Sequence, residues 1–447
     1  MIKTILHQIW NERRQNGWLF LELVAVSVFL WLAIDPLFIL YSNKYIPEGY
    51  NDDNLYYLEF EVKSVPDEEN AGEVCANDFE QAVNIVRSLP EVEAYAVASS
   101  NNYPNSMGSN CPKYVVDSTM NVKGESHSMH VTTYDIYDFP GSDYFAALQI
   151  KDINGEPMKK SGLDGGKGLY VSQNFAQKVF GTTDAAGKKI KYEDEDEIYS
   201  VAGLFSTVQT TEYIEPMHLI MHIHDRSEIC EYMDKRYIFE NYKIFVRLKE
   251  GVAADAFMKN FQAEIAPKLD FKYRRFFALT AVGESAAKSA NVFGITNRYR
   301  MQMMLSGFAL FCAFLGIMST YWVRVSDRRM AIGLYRSMGA TSRRVLWQFI
   351  VEGWLIVSVA FLIALPLLMH KVYSMGFSDP LEKFTSMMWQ ELMLAKNGDY
   401  LHNQPLTHFV IVSVLTYLFM LFVAGVGILI PTRRIVSIQP SEALRDE

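Results

Sequence analysis

Four stretches of the chain, at 18–40, 303–323, 349–369 and 408–430, are apolar over more than twenty residues each. At ~1.5 Å of rise per residue, a helix of that length crosses the roughly 30 Å of hydrocarbon in a bilayer. Core helices of water-soluble proteins rarely stay apolar for so long, and four in one chain leave the bilayer as the environment that satisfies them all. The expected fold class is a membrane protein with four transmembrane α-helices and a large α+β extracytoplasmic domain inserted between spans 1 and 2. The first run does not read as a cleavable signal peptide. Its apolar core is too long, it carries Trp18, Glu22 and Trp31, and no small-x-small site follows it.

Arginine and lysine orient these spans, because short cytoplasmic segments carry an excess of both. Lys3, Arg13 and Arg14 precede span 1, and Arg324, Arg328, Arg329, Arg336, Arg343 and Arg344 lie between spans 2 and 3. Arg433 and Arg434 follow span 4, whereas 371–406 has three lysines diluted by four acids. Both termini and the arginine segment are therefore expected inside. The outer segment 41–300 holds 27 basic against 39 acidic residues, a net of −12 in a chain whose formal charge is −9. That acidity offers nothing to a nucleic acid, and membrane lipid is the partner the composition demands.

The expected layout begins with an amphipathic cytoplasmic helix at 1–16 and span 1 at 17–40, followed by the outer domain at 41–300. Span 2 (301–324), a cytoplasmic coupling segment (325–347) and span 3 (348–370) come next. A short outer loop (371–406), span 4 (407–430) and a cytoplasmic tail (431–447) complete it. Ile2, Ile5, Leu6 and Ile9 give 1–16 its apolar face. In the outer domain, 55–62, 128–137, 198–205 and 242–248 read as strands, and 77–89, 173–180 and 254–269 as helices. The acidic run at 191–199 reads as a solvated hairpin turn. Of four cysteines, Cys312 falls in span 2, and Cys75 and Cys111 allow an external bridge that leaves Cys230 free.

The segment after span 2 reads "DRRMAIGLYRSMGATSRRVLWQF" from Asp327. Ile332, Tyr335 and Met338 recur at helical spacing, and Arg329 and Arg336 lie seven apart on another face. Gly339 fits a helix stop, because glycine takes the left-handed conformation at little cost, and Thr341 or Ser342 then caps span 3. The product is a short two-faced helix held between two spans. Six arginines without a lysine favour a protein interface over a plain topology signal.

Within the spans the acids are Glu22, Asp35 and Glu352. Glu352, one turn into span 3, is expected to pair with an arginine near the inner interface. Asp35 precedes Pro36, where a local break or snorkelling toward the outer surface accounts for it, and Glu22 lies near inner water. "EPMHLIMHIHDR" (215–226) places His218, His222 and His224 on one strand face, expected to be polar and solvent-facing. Of these, His222 and His224 are close enough to share a metal ion, a weak candidate site. "GLDGGKGLY" (162–170) lacks the glycine offset and the Ser/Thr of a phosphate loop, and no metalloprotease or nucleophile-elbow spacing occurs, so no catalytic residue is assigned.

Four stretches resemble one family. "IGLYRSMGATSRRVLWQFIVEG" is similar to the REIGLxRAxGATxxxIxxxFLxEA motif of the MacB-like and FtsX-like ABC transporter permeases, which include the lipoprotein-releasing permeases. "PTRRIVSIQPSEALRDE" resembles their C-terminal PxxRAxRxxPxEALRxE, and "GLYVSQNFAQKVFGTTDAAGKKI" with "YSVAGLF" resembles their outer-domain VxISxxLAxxxFGxxDxxGKxI…VVGV. "YFAALQIKDINGEPM" resembles YFxxLxxxxxxGRxF, and the order is the family's. Met330 and Ala331 stand where the family has an arginine and an acid, so charged coupling here falls to Arg328, Arg329 and Arg336. Residues 206–300 show no family pattern.

The resemblance implies a non-enzymatic, multi-pass permease subunit of a bacterial inner membrane, with both termini cytoplasmic and ATP and Mg bound on a separate ATPase. The coupling set would be Arg328, Arg329, Ile332, Gly333, Tyr335, Arg336, Met338 and Gly339, with Glu352 a structural membrane charge. A second permease copy or a paralogue would complete a dimer, and a periplasmic adaptor or outer-membrane component is a further partner. The implied work is mechanotransmission: efflux or extraction of a hydrophobic or peptide-like substrate. The alternatives are an FtsX-like regulator of an external partner and a lipoprotein-releasing permease.

Overall fold

The computed structural model describes residues 13–100, 103–104, 113–116, 127–160, 168–193, 197–210, 214–225, 234–284, 288, 291, 294–379 and 399–436. They fall into two compact units, one running from Asn43 to Thr296 and one built from the segments that flank it and hold the long helices.

The flanking unit contains four helices, α1 (Arg13–Lys44), α6 (Ile295–Asp327), α8 (Ser342–Met375) and α9 (Pro405–Val436), with the nine-residue α7 (Arg329–Ser337) between α6 and α8. All four long helices are apolar and long enough to cross a membrane. Each outruns its apolar run because polar residues at the ends continue the same turn. α1 passes through Gly17 without a break, while the rest of the expected N-terminal helix, 1–12, lies outside the described residues. The inward stripes of the helices form one core that includes Leu23, Ile317, Tyr321, Val357, Ala424 and Ile428, and Ile332 of α7 belongs to it. Large apolar residues such as Phe29, Phe308, Leu362 and Phe422 point outward, as hydrocarbon requires. Small residues permit the closest approaches. A Cβ on Gly427 of α9 would sit 3.3 Å from the Met318 Cα of α6.

The 43–296 unit is α+β. Its strands are β1 (Leu55–Val62), β2 (Val92–Ser99), β3 (Lys113–Val116), β4 (His127–His130), β5 (Thr132–Asp138), β6 (Gly168–Ser172), β7 (Lys189–Tyr192), β8 (Ile198–Phe205), β9 (Leu219–Asp225), β10 (Tyr242–Leu248) and β11 (Arg274–Ala281). Among the described residues they make one sheet in the order β11-β1-β10-β2-β5-β9-β6-β8-β7-β3-β4. The β5–β9 and β6–β8 pairs are parallel, and the remaining pairs are antiparallel. Helix α2 (Ala71–Arg87) buries Ala71, Cys75, Phe79, Ala82, Val83 and Val86, a stripe at helical spacing, in the core over the β11-to-β2 end. The two remaining early helices are α3 (Tyr144–Leu148) and α4 (Gln173–Phe180).

Strands at 55–62, 198–205 and 242–248 and the helix at 173–180 coincide with the residues read from periodicity. Two readings need correcting. The strand expected over 128–137 is two strands parted at Val131, β4 paired with β3 and β5 lying between β2 and β9. The helix expected over 254–269 stays α-helical only in α5 (Ala254–Asn260), then widens to a π turn at Phe261–Ile265 and tightens to 3₁₀ at Ala266–Leu269. Pro267 has no amide hydrogen to continue the α ladder. Cys75 is a buried free thiol, and its candidate partner Cys111 lies outside the described residues. Cys75 lies on the core face of α2, and burial pushes its thiol pKa up. Cys111, Cys230, the tip of the acidic turn at 194–196, most of the outer loop (380–398) and the tail from 437 lie outside the described residues.

Candidate functional site

The link between α6 and α8 is rigid at both ends, for reasons that reside in a few residues. At the N-terminal side the Arg328 guanidinium donates from Nη1 to Glu352 Oε2 at 2.9 Å and Oε1 at 3.2 Å. Arg324, one turn earlier on α6, also donates to Glu352 Oε1. The carboxylate is 3% exposed and the two guanidiniums about as enclosed, at 13% and 14%. One anion thus bridges the end of α6, the start of α7 and the third turn of α8, and Arg328 also lies 5.7 Å over the Phe349 ring. The pairing expected of Glu352 is present, with two partners.

At its other end α7 closes as a Schellman motif. Ala340 N–H reaches Tyr335 O and Gly339 N–H reaches Arg336 O, both at 3.0 Å, with Gly339 at φ +92°. A side chain at Gly339 would be strained, so glycine is what lets the chain reverse there. Of the two candidate caps the structure uses Thr341, whose hydroxyl accepts from the Arg344 amide.

Between these anchors, the residues singled out from sequence divide. Ile332 and Gly333 are buried against the bundle, and Arg328 is spent on Glu352. Tyr335 and Met338 are exposed, and so are Met330 and Leu334. The stripe expected from Ile332, Tyr335 and Met338 does not form one face. Each step of three residues falls about 60° short of a full turn, so the set rotates from core to surface. The exposed stripe is Met330, Leu334 and Met338, spaced by four, with Tyr335 beside it. The spacing of Met330, Leu334 and Met338 by four is the signal of that stripe in the sequence, with Met330 at a position where the family has an arginine. Arg329 and Arg336 are half-buried flanks of α7, and Arg343 and Arg344 are exposed where α8 begins. Arg434 lies 5.6 Å over Trp322, holding the far end of α9 to α6.

The other two acids in the spans are also engaged. Glu22 accepts from Thr320 Oγ1 of α6 at 3.1 and 3.3 Å. Asp35 neither breaks the helix nor snorkels, contrary to expectation. α1 runs on through Pro36, and the Asp35 carboxylate is sealed at 0% exposure against His408. Nothing in the sequence marks His408, because a neutral imidazole adds no charge to an apolar run and its acidic partner lies 373 positions away.

The histidine strand also corrects the sequence reading. β9 is interior to the sheet, and its two faces feed different cores, Leu219 and Met221 into one and Ile220 into the other. His218 and His222 are therefore buried, not solvent-facing. His222 Nε2 lies 2.6 Å from the Tyr114 hydroxyl and 2.9 Å from that of Tyr192. The His222 and His224 rings are within 9° of parallel with centroids 5.6 Å apart, and His224 Nε2 is 3.7 Å from Asp135. Nitrogen lone pairs lie in the ring plane, so two parallel rings do not converge on one ion at the ~2.0–2.1 Å that a metal bond requires. Among the described residues no group of three or more His, Cys, Asp or Glu side chains gathers to hold a metal.

Burial lowers the pKa of His222, and likewise of His218, to about 4. Between about pH 6.5 and 4 the unfolded chain therefore binds protons that the folded domain refuses, and stability falls as pH falls through that window. Each histidine contributes up to roughly 3 kcal/mol to this loss. Thermal unfolding of the full chain should lose midpoint between about pH 7 and 5, and His222→Phe should flatten the slope even if it lowers the midpoint at neutral pH. An unchanged slope in that variant would refute the assignment.

Three comparisons with known proteins bear on this geometry. Residues 303–440 match the FtsX-like permease C-terminal family. That stretch takes in most of α6, all of α7 and α8, and α9, so the resemblance to the FtsX-like permeases drawn from the motifs within it holds. No curated protein sequence matches. Among solved structures, the extracellular domain of the noncanonic ABC-type transporter YknZ from Gram-positive bacteria is similar at 14% identity. It covers 50% of this chain and 100% of its own, with a TM-score of 0.30. The periplasmic region of MacB from Actinobacillus actinomycetemcomitans is similar at 11% identity, covering 52% and 90%, with a TM-score of 0.31. A domain of a protein described as a permease from Porphyromonas gingivalis is similar at 13% identity, covering 52% and 92%, with a TM-score of 0.32. At such scores these likenesses place no ligand and no partner.

Proposed function

We propose, from the premise that 303–440 is an FtsX-like permease segment in a membrane protein, that this chain is the transmembrane subunit of an ABC transporter driven by a separate ATPase. Its α7 helix is the ATPase dock. The supporting observation is a short helix clamped at both ends, by the Glu352 bridge and by the Gly339 stop, that still presents an apolar stripe with arginine flanks. A rigid piece continuous with α6 and α8 converts a push into a tilt of the bundle, where a flexible loop would absorb it. The positive-inside distribution of arginine favours a cytoplasmic side for this helix and both termini, and the bacterial inner membrane follows from the resemblance to the FtsX-like permeases.

The acids in the described spans are each engaged by a neighbour, which favours work done outside the bilayer over a polar path for a solute through the bundle. The domain between spans 1 and 2 in the chain is then the part moved, in a dimer with a second copy or a paralogue. Its cargo is a hydrophobic or peptide-like molecule taken from the outer leaflet or the periplasm.

The test is capture of an ATPase by the full chain from native membranes, followed by its ATPase rate. Arg329→Glu with Arg336→Glu, and separately Met330→Glu with Met338→Glu, should each lower stimulation about tenfold or more while leaving the chain folded. Two pairs are used because the arginines are half-buried and the methionines are not. An ATPase that binds and responds equally to both variants, or none captured by the wild type, would refute the dock.

A further inference from the structure

Away from the linking helix, at the other end of the same bundle, α1 and α9 bring Asp35 and His408 together in a sealed site. Asp35 Oδ1 lies 2.8 Å from His408 Nε2, both side chains are 0% exposed, and His408 Nδ1 lies 2.7 Å from the His402 carbonyl oxygen. The second carboxylate oxygen, Oδ2, accepts the Ser378 backbone N–H at 2.8 Å. Ser378 follows α8 directly, through Gly376 at φ +73°. Between them Phe377 stacks on the His408 ring at 3.8 Å and 7°, and its centroid is 6.5 Å from that of Trp31. Lys371 holds the same segment from α8, donating to Gly376 O at 2.8 Å and Ser378 Oγ at 2.9 Å. Trp31 donates from Nε1 to Ser413 of α9 at 3.1 Å.

The chemistry of this site is constrained. A carbonyl oxygen only accepts, so His408 Nδ1 carries a hydrogen. Nε2 then either donates to a carboxylate or accepts from a carboxyl O–H, and in both cases the pair holds one shared proton and no net charge. Facing the pair from its surroundings are Lys371 and His402, the latter 2.8 Å from Ser42 Oγ through Nδ1. Asp379 follows Ser378 in the chain, and Asp399 precedes Tyr400.

We propose that Asp35 and His408 are a positioning pair, a charge-neutral latch that seats Gly376–Ser378 in the bundle and makes α1, α8 and α9 move as one body. This rests on the transporter reading, in which a tilt started at α7 leaves the bundle through α1. Without the latch, α1 slips against α8 and α9, and the stroke is lost before it reaches the outer domain.

Hydrogen exchange on the full chain in lipid nanodiscs, followed on the peptide covering 376–379, reads the latch at Ser378. The wild type should be protected at about pH 7. Asp35→Ala should raise exchange about tenfold or more. Asp35→Asn is the discriminating variant. Its amide oxygen accepts from Ser378 and its amide nitrogen donates to the His408 ring, so protection is kept, whereas Asp35→Leu, which fills the space and offers no acceptor, loses it as alanine does. Unchanged exchange in Asp35→Ala, or protection lost as fully in Asp35→Asn as in Asp35→Ala, overturns the latch. If exchange behaves as expected but Asp35→Ala leaves ATP-driven turnover of the captured complex at the wild-type level, the pair fastens the segment without transmitting motion, and that half of the proposal falls. Failure to capture any ATPase sinks the transporter reading and leaves the exchange result standing.

Discussion

Glu352→Ala should cost about 3–5 kcal/mol and remove most of the folded chain, because it leaves the Arg324 and Arg328 guanidiniums facing each other without their shared anion. The measure is the yield of monodisperse protein from detergent and its melting temperature. Glu352→Gln, which keeps an acceptor oxygen but not the charge, should fall between wild type and alanine. Replacing Glu352 and both arginines by methionine should restore much of the loss, since an apolar trio of similar volume forfeits no pairing. Wild-type melting of Glu352→Ala would show that the bridge contributes nothing to the fold, and with it would go the account of α7 as firmly mounted.

Gly353→Val should be nearly as damaging, through shape instead of charge. A Cβ there would lie 2.2 Å from the tip of Ile428 and 2.9 Å from the Tyr321 hydroxyl oxygen. Ile428 can swing its terminal methyl, but Tyr321 is fully buried between helices and has nowhere to go. Alanine should cost about 1–3 kcal/mol and valine more, read as melting of the full chain. Adding Ile428→Val and Tyr321→Phe should rescue Gly353→Ala. The Tyr321 hydroxyl has no hydrogen-bond partner among the described residues, so removing it costs little. Alanine tolerated without suppressors would mean the helices part there easily and do not form a stiff bundle.

These two neighbours on α8 also show how unevenly the chain reveals itself. Glu352 announced its partnership, because an acid one turn inside an apolar run must find a cation, and arginines cluster 24 and 28 positions earlier. Gly353 announced nothing. Its role depends on which residues of α6 and α9 pass in front of it. The same divide separates the linking helix from its face. The stop at Gly339 and the cap at Thr341 follow from dihedral preferences and side-chain length within a few residues. Which of Met330, Ile332, Leu334 and Met338 face outward depended on where the bundle lay, and the choice of Ile332 with Tyr335 and Met338 mixed core with surface.

The histidines of β9 failed for a related reason. Alternation correctly put His218, His222 and His224 on one side, but period two says nothing about whether that side meets water. Interior placement between β5 and β6 buried both faces and turned an expected polar surface into a tyrosine-lined pocket for a neutral ring.

Residue order was sufficient for what is local: four apolar runs long enough for a bilayer, strands at 55–62, 198–205 and 242–248, and a helix broken by glycine between two spans. Each depends on backbone preference or on hydrophobicity summed over neighbours in the chain. Packing decided what joins distant segments: Asp35 with His408 across 373 positions, the seat of Phe377, the closeness of α8 to α9 at Gly353, and the burial of His222. A buried charge or a missing side chain acquires its meaning from whatever faces it, and that is set only when the whole chain has closed.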